Sequence, residues 1–189
     1  MSAIKQDCNV KKAKHWSLGL LDSMKDPNEI YKETERIVVI KDKYPKARIH
    51  YLMLPRDNIS SIYCLNKEHV NLLEEFGTLL NTIKEEHNNV TLRAGFHAVP
   101  SMQRLHMHII STDMISMCLK TKIHWNSFNT AFFIPYQDLL KEIKENGCIT
   151  KISSDSHKKL MATPLKCNQC NYEPKTMPQL KEHLKTHIQ

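Results

Sequence analysis

Two groups of residues in this chain have the types and spacing that do chemistry. The first is Arg104-Leu105-His106-Met107-His108-Ile109-Ile110. In an extended strand alternate side chains share a face. Arg104, His106 and His108 are therefore predicted to point one way, with Leu105, Met107 and Ile109 packed into a core. Neutral imidazole is a nucleophile toward phosphorus, and its pKa of about 6.5 leaves it largely unprotonated at pH 7. A guanidinium holds phosphate oxygens through two parallel hydrogen bonds. The face thus reads as a phosphate site, with Ser101 and neighbouring backbone amides as further donors. A metal site, or two histidines satisfied as polar core residues, would show the same alternation, and the motif alone leaves those readings open.

The second group is Cys167-x2-Cys170-x12-His183-x3-His187. These are the ligand types and spacing of a Cys2His2 zinc site. The cysteines fit a tight knuckle, and a helix would put histidines four apart on one face. Leu180 falls where such a finger keeps a core leucine. The aromatic residue usual four positions after the second cysteine is replaced by Pro174, and Tyr172 is a candidate to fill the gap. Pro178 suits a first helical turn, so the helix is predicted to start near Met177. One structural Zn2+ is expected. The positions that would face bases are Thr176, Gln179 and Glu182; none is an arginine, and Glu182 would repel phosphate. Lys166, Lys175, Lys181 and Lys185 instead fit a grip on the nucleic-acid backbone.

The elements that must position these groups can be read around them. The chain has 189 residues, 41% hydrophobic and 25% charged, a globular composition. No apolar run approaches the roughly 18 residues of a membrane span, and residues 1–14 form a polar, basic tail without the apolar core of a secretory signal. The reading is an intracellular protein. Net charge is +7, and residues 151–189 hold seven Lys/Arg against three Asp/Glu, which points to a polyanionic partner. Cys8, Cys64, Cys118 and Cys148 are scattered and read as reduced thiols.

Residues 14–25 read as a helix containing Trp16, ended by Asp26-Pro27. Ile37-Val38-Val39-Ile40 reads as a buried strand, and residues 47–54 as a second strand that pairs with it as a hairpin. Residues 66–86 have a helical period, with Val70, Leu73, Phe76, Leu80 and Ile83 on one face. Residues 91–98 and 105–111 read as strands. Residues 135–146 read as a helix stopped by Gly147. Residues 153–157 form a polar stretch before a short helical patch. The pattern is a strand-rich α+β domain followed by a small C-terminal module.

The segment Gly95-Phe96-His97-Ala98-Val99-Pro100-Ser101-Met102, running into Leu105-His106-Met107-His108, resembles the histidine triad (HIT) family. Four further segments agree in order: His15-Trp16-Ser17, residues 41–48, His124-Trp125-Asn126-Ser127-Phe128-Asn129-Thr130, and the finger. The last two narrow the resemblance to zinc-finger members that act on DNA. The resemblance implies a HIT-like antiparallel sheet with flanking helices (15–150), a linker with a short helix (151–163) and a C2H2 zinc finger (164–189). It implies a hydrolase that removes AMP from adenylated 5′ ends of DNA left by abortive ligation, through a covalent adenylyl-histidine. His106 maps to the nucleophile, and no catalytic metal is expected. His108 maps to a position that orients His106 or contacts the backbone, His97 and Ser101 to phosphate contacts, and His50 to the acid that protonates the leaving group. Lys46 and Arg48 map to a phosphate-contacting edge, and Trp16 to a position that stacks on an exposed base pair. Ile37, Val39 and Leu54 map near the adenosine pocket. Asp113 reads as a local cap or an orienting carboxylate, and Trp125 as structural. The family pattern His-φ-His-φ-His has Arg104 in its first place here. Arginine preserves charge stabilisation of phosphate but is no proton donor.

Implied partners are DNA with adenylated nick or break ends, with RNA–DNA junctions as a further end type, and no membrane. A monomer in the nucleus is expected, with the cytoplasm as a second location. No forkhead-associated domain is expected ahead of Trp16. Two other functions fit parts of the sequence. One is a general HIT hydrolase of small nucleotide phosphoramidates or dinucleotides, which would have no need of a finger. The other is a non-enzymatic zinc-finger nucleic-acid binder, which would have no need of alternating histidines.

Overall fold

The computed structural model describes residues 19–102 and 104–188. In chain order the elements are α1 (Gly19–Ser23), β1 (Ile30–Glu33), β2 (Ile37–Lys41), β3 (His50–Pro55), α2 (Val70–Glu86), β4 (Leu92–His97), β5 (Met107–Ser111), α3 (Lys122–Asn129), β6 (Phe133–Pro135), α4 (Tyr136–Asn146), α5 (Ser154–Ala162) and α6 (Met177–Leu184).

Four successive β-branched residues make β2 a strand that buries both faces. Such side chains are stiff at χ1 and suit a pleated surface, and Ile37 to Ile40 are at most 1% exposed. The expected hairpin forms: β2 pairs antiparallel with β3, from Ile37 opposite Pro55 to Lys41 opposite Tyr51. Strand β3 begins at His50 rather than at Ala47. Two backbone donors before it are taken by side chains, Lys46 N–H by His50 Nδ1 at 3.1 Å and Arg48 N–H by Asp113 Oδ1 at 3.1 Å. The six strands form one antiparallel sheet in the order β1-β2-β3-β5-β4-β6.

Helix α2 covers one face of the sheet. Its Leu72, Leu73, Phe76, Leu79, Leu80 and Ile83 are buried against Val39, Met53, Met107 and Ile109. Asn66 starts this region through a short 3-10 turn, its Oδ1 accepting from Glu68 N–H at 3.0 Å. Gly147 ends α4 at φ +73° and returns its N–H to Ile143 O, a conformation that favours glycine. The opposite face is shared. Leu20 and Met24 around α1 cover Val38, Ile40, Leu52 and Leu54.

Further along that face, Trp125 and Phe128 of α3 join Ile110, Phe133, Leu165, Cys167, Leu180 and Leu184 in one apolar cluster. The C-terminal module is therefore docked on the sheet domain through a continuous core. Polar contacts reinforce the docking. Asn126, 1% exposed, donates from Nδ2 to Met161 O and Thr163 O, each at 2.9 Å. Asn168 Nδ2 donates to Thr112 O at 2.7 Å, one residue past the end of β5. No described helix is long and apolar enough to cross a membrane.

Candidate functional site

The sheet registers bring four histidines together on the face away from α2. On β3 and β5, Leu52 stands opposite His108 and His50 opposite Ile110, so His50 and His108 are diagonal neighbours. On β4, Gly95 stands opposite His108, and His97 lies two residues further along the same face. His106 sits just before β5. Ring centroids are 4.3 Å apart for His97–His108, 5.0 Å for His106–His108 and 5.2 Å for His50–His108. The edge of Phe128 packs on His50, His97 and His108. His50, His106 and His108 are each about 5% exposed or less.

These imidazoles open onto a cavity of about 710 Å³. One wall is apolar, with Leu20, Ile40, Leu52 and Met102, and the other carries His124, Ser127, Phe132, His157 and Met161. Lys41, Asp42, Lys43 and Lys46 border it, and Ser101 lies exposed at its rim.

Hydrogen bonds assign the ring protons. A backbone carbonyl only accepts, so the 2.8 Å contact of His106 Nδ1 with Arg104 O places a proton on Nδ1. The lone pair of neutral His106 is then on Nε2. Lys46 N–H donates to His50 Nδ1, so the His50 proton is on Nε2, and that atom lies 2.9 Å from His108 Nδ1. His108 therefore accepts at Nδ1 and carries its own proton on Nε2. Among the described residues, the Nε2 atoms of His97 and His108 are buried without a hydrogen-bond partner. A buried polar atom left unpaired costs roughly 1–3 kcal/mol, so both atoms favour a ligand that can pair with them.

Burial also sets the charge. It is the main reason His50 falls to about 4 and His97 to about 3, with Lys46 and neighbouring imidazoles adding to it and Asp42 opposing it at His50. Burial pushes His106 below the ordinary histidine value, and burial with the neighbouring histidines pushes His108 well below it. The cluster is a set of neutral imidazoles beside lysines.

The remaining predicted residues divide. Lys46 borders the cavity, but its ammonium folds back onto Tyr44 O. Arg48 is exposed and does not border the cavity. Asp113 is a cap, accepting from Arg48 N–H and, at 2.8 Å, from Ile115 N–H. Trp125 is core, 1% exposed. Ile37 and Val39 lie in the α2-side core and Leu54 in the α1-side core, and none of the three lines the cavity. Trp16 lies outside the described residues.

Arg104 is a correction. It does not share a strand face with His106 and His108, because β5 begins only at Met107 and Arg104 has φ +149°. Its guanidinium runs away from the cavity to Asn58 Oδ1, Pro55 O and Arg56 O at 2.9–3.0 Å. Arg104 borders instead a small void of about 10 Å³ that it shares with His97, Pro100 and His106, too small for a phosphate.

Sequence reasoning assigned no role to Asp42, Phe128, His157 or Met161. Asp42 Oδ2 lies 3.5 Å from His50 Nδ1. His157 of α5 stacks on Phe132 at 5.1 Å. The cap signal Ser153-x-x-Ser156 (Ser153 Oγ accepts from Ser156 N–H) was available to place α5, but nothing local marks its contact with the cavity.

In the C-terminal module the ligand atoms of Cys167, Cys170, His183 and His187 all lie within 4.8 Å of one another. Cys170 Sγ is 3.1 Å from His183 Nε2, and Cys167 Sγ is 3.4 Å from His187 Nε2. Such separations suit a tetrahedral ion with bonds of about 2.0–2.3 Å, so this donor set fits zinc. Helix α6 starts at Met177 as expected, but His187 falls in a following 3-10 turn. Leu180 is fully buried. Pro174 itself takes the buried place, whereas Tyr172 stays 42% exposed and its ring packs at a tilt on His183 at 4.2 Å. Thr176 and Gln179 form a capping box with each other, so two of the three positions that would face bases are spent on the helix end.

A six-stranded antiparallel sheet that gathers imidazoles from β3, β4 and the approach to β5 onto one cavity defines a histidine-triad type of protein. Residues 15–124 match the family profile described as "Scavenger mRNA decapping enzyme C-term binding", which spans more than half of the chain, and the chain belongs to that family. Residues 129–189 match a profile described as "C2HE / C2H2 / C2HC zinc-binding finger". Within this class the similarity runs to aprataxins. The chain is 45% identical to aprataxin of Gallus gallus over 177 residues, covering 92% of this chain and 55% of that one. It is 44% identical to aprataxin of Danio rerio over 180 residues, covering 93% and 55%. It spans about half the length of these curated relatives. The solved structure "Crystal structure of aprataxin ortholog Hnt3 in complex with DNA" has the same fold, with TM-score 0.72 at 24% identity over 91% of this chain and 94% of that one.

Proposed function

We propose that this protein is a hydrolase that removes AMP from adenylated 5′ ends of DNA. The observation that carries the reading is His106, a neutral imidazole with its proton held on Nδ1 by Arg104 O, beside a cavity with one apolar wall. His106 Nε2 attacks the AMP phosphorus. The bond from that phosphorus to the oxygen of the DNA 5′-phosphate breaks, its electron pair leaves with the DNA, and AMP remains on His106. Water then attacks the same phosphorus, the P–N bond breaks, and AMP leaves with His106 restored.

The other residues take supporting roles in this proposal. The unpaired His108 Nε2–H and the His97 ring contact phosphate oxygens, as does Ser101 at the rim. His50 is the acid for the leaving group: phosphate charge in the cavity favours its protonated form, with Asp42 beside Nδ1. Lys46 extends its ammonium to phosphate once substrate displaces Tyr44 O, Arg48 follows the strand further out, and Trp16 stacks on the exposed base pair. Arg104 is left out of the phosphate contacts. Residues 15–150 form the catalytic domain, 151–163 the connection and 164–189 the finger.

One zinc ion held by Cys167, Cys170, His183 and His187 would fix the finger fold, and the reaction as proposed uses no metal in the cavity. The finger grips the DNA backbone without reading sequence, because its base-facing positions are a cap and Glu182. The similarity to aprataxins and the DNA-bound Hnt3 relative support DNA as the partner. Adenylated nicks, break ends and RNA–DNA junctions are the substrates proposed, with a monomer acting in the nucleus.

The test uses nicked duplex DNA carrying a 5′-AMP, with zinc-loaded protein and His106→Ala. The wild type is expected to release AMP and to trap it on His106 in a rapid quench, and the variant to do neither. Release from small adenylates alone would replace this reading with a general nucleotide hydrolase. DNA binding without any AMP release would leave a binding module.

A further inference from the structure

The geometry points to Arg104 as a positioning residue for His106, acting through its backbone carbonyl rather than through a contact with phosphate. This inference rests on the reading of His106 as nucleophile, and its main readout does not depend on activity.

Arg104 joins three pieces of backbone. Its Nη2 donates to Pro55 O at the end of β3 and to Arg56 O just after it, both at 3.0 Å. Its Nη1 donates to Asn58 Oδ1 at 2.9 Å. Its own N–H donates to Ser60 O at 3.2 Å, and Leu105 N–H donates to Ile59 O at 2.8 Å. The residue so anchored is 7% exposed and holds φ at +149°, a region where a side chain is strained and persists only when the surroundings over-determine it. That conformation turns Arg104 O to His106 Nδ1. The anchoring of the guanidinium and the proton position on the nucleophile are thus two ends of one residue.

The consequence is specific to the side chain at this position. A guanidinium presents several N–H donors in a rigid fork and reaches two carbonyls and an amide oxygen together. A neutral imidazole has one N–H and a shorter reach. Arg104→His would recreate the histidine triad pattern, yet it would leave backbone carbonyls at Pro55 and Arg56 unpaired and release the strained carbonyl. We therefore expect the family's own residue to impair this protein. Misplacing a reacting group by about 1 Å can cost roughly 100-fold in rate.

The experiment records 15N–1H correlations of the histidine rings, with and without AMP, for wild type, Arg104→His, Arg104→Lys and Asn58→Ala, alongside AMP release from adenylated nicked DNA. In wild type His106 should be a single Nδ1–H tautomer. In Arg104→His it should become a mixture of tautomers, and kcat should fall roughly 10- to 100-fold with KM little changed. Arg104→Lys should lie between, since one ammonium replaces part of the fork. Asn58→Ala removes one acceptor at an exposed position, stands in if the arginine variants do not fold, and should shift the tautomer ratio in the same direction. Unchanged His106 tautomer with a raised KM or weaker AMP binding would overturn the proposal and return Arg104 to phosphate contact. A pure Nδ1–H wild type that releases no AMP from any adenylate would sink the hydrolase reading while leaving the positioning role standing.

Discussion

The Phe128 ring stands 4.7 Å from the His97 ring, nearly edge-on at 61°, and also packs on His50 and His108. The same side chain belongs to the apolar cluster that holds Leu165, Leu180 and Leu184 of the C-terminal module. One residue of α3 therefore supports the imidazole cluster from one side and the docked finger from the other.

Phe128→Ala should be costly, by roughly 3–5 kcal/mol on the scale of buried aromatic truncations. Phe128→Leu keeps most of the volume and should fold. In the leucine variant the His50, His97 and His108 ring resonances are expected to broaden or split, while amides of α2 on the far face stay in place. Urea melts and ring-proton NMR make the measurement. Sharp, unshifted histidine signals would show that Phe128 fills space without holding the rings.

The neutral imidazoles also make stability depend on pH with a definite sign. Free histidine titrates near 6.5, whereas folded His50 and His97 do so at about 4 and about 3. As pH falls from 6.5 the unfolded chain takes up protons that the folded chain refuses, so stability declines. The contribution is complete above pH 6.5 and is lost progressively down to pH 4 for His50 and pH 3 for His97, by at most roughly 1.4 kcal/mol per pH unit for each group. His97→Gln lacks one of these groups. Its melting temperature should drop less than that of wild type between pH 7 and pH 4.5, and comparing the two at each pH cancels proton effects on the finger ligands. Parallel curves would show that His97 is not held neutral.

Much of this was legible before the structure. Strand β2 declared itself by Ile37-Val38-Val39-Ile40, and α2 by a sustained helical period. Spacing and resemblance name the four histidines that the structure gathers on one cavity and the four Cys/His residues whose ligand atoms it clusters. The failures have physical causes. Strand β1 has four residues of mixed polarity, and β6 has three apolar residues ending in Pro135, so neither carries alternation long enough to read. Helix α3 is built from a segment rich in Asn, Ser and aromatic residues, poor helix formers, and is made helical by the Thr121 cap and by burial of Trp125 and Phe128. Arg104 was misplaced because period-two alternation assumes an extended chain. Its φ of +149° is imposed by partners 44–49 residues away, a cause that no local pattern records.

Gly95 shows how tightly β4 is held between β5 and β6. It pairs with His108 on one side and with Pro135 on the other, and a Cβ there would run into Ile134 O and the Phe133 ring. Backbone cannot yield as a side-chain tip can, so Gly95→Ala should cost roughly 1–3 kcal/mol as overpacking and should disturb His108. Gly19→Ala, with no described atom within 4 Å of the added carbon, is the control. Equal melting temperatures for the two variants would contradict the close approach.

Zinc removal should be felt beyond the finger. Leu165, Leu180 and Leu184 are each at most 7% exposed and share their cluster with Trp125. A finger of this size lacks a core large enough to fold without its metal, so stripping the ion should release these leucines and uncover the α3 surface. In a Trp16→Phe background Trp125 is the only tryptophan. Chelation there should shift its emission to longer wavelength and lower the melting temperature, and added zinc should restore both. Cys167→Ser should resemble the chelated protein and resist rescue. The finger also donates from Asn168 to Thr112 O beside the end of β5, so the same treatment should move the His108 ring resonance. A finger that unfolds while Trp125 emission and His108 stay unchanged would mean that the module is merely tethered, and that the shared core contributes nothing to the imidazole face.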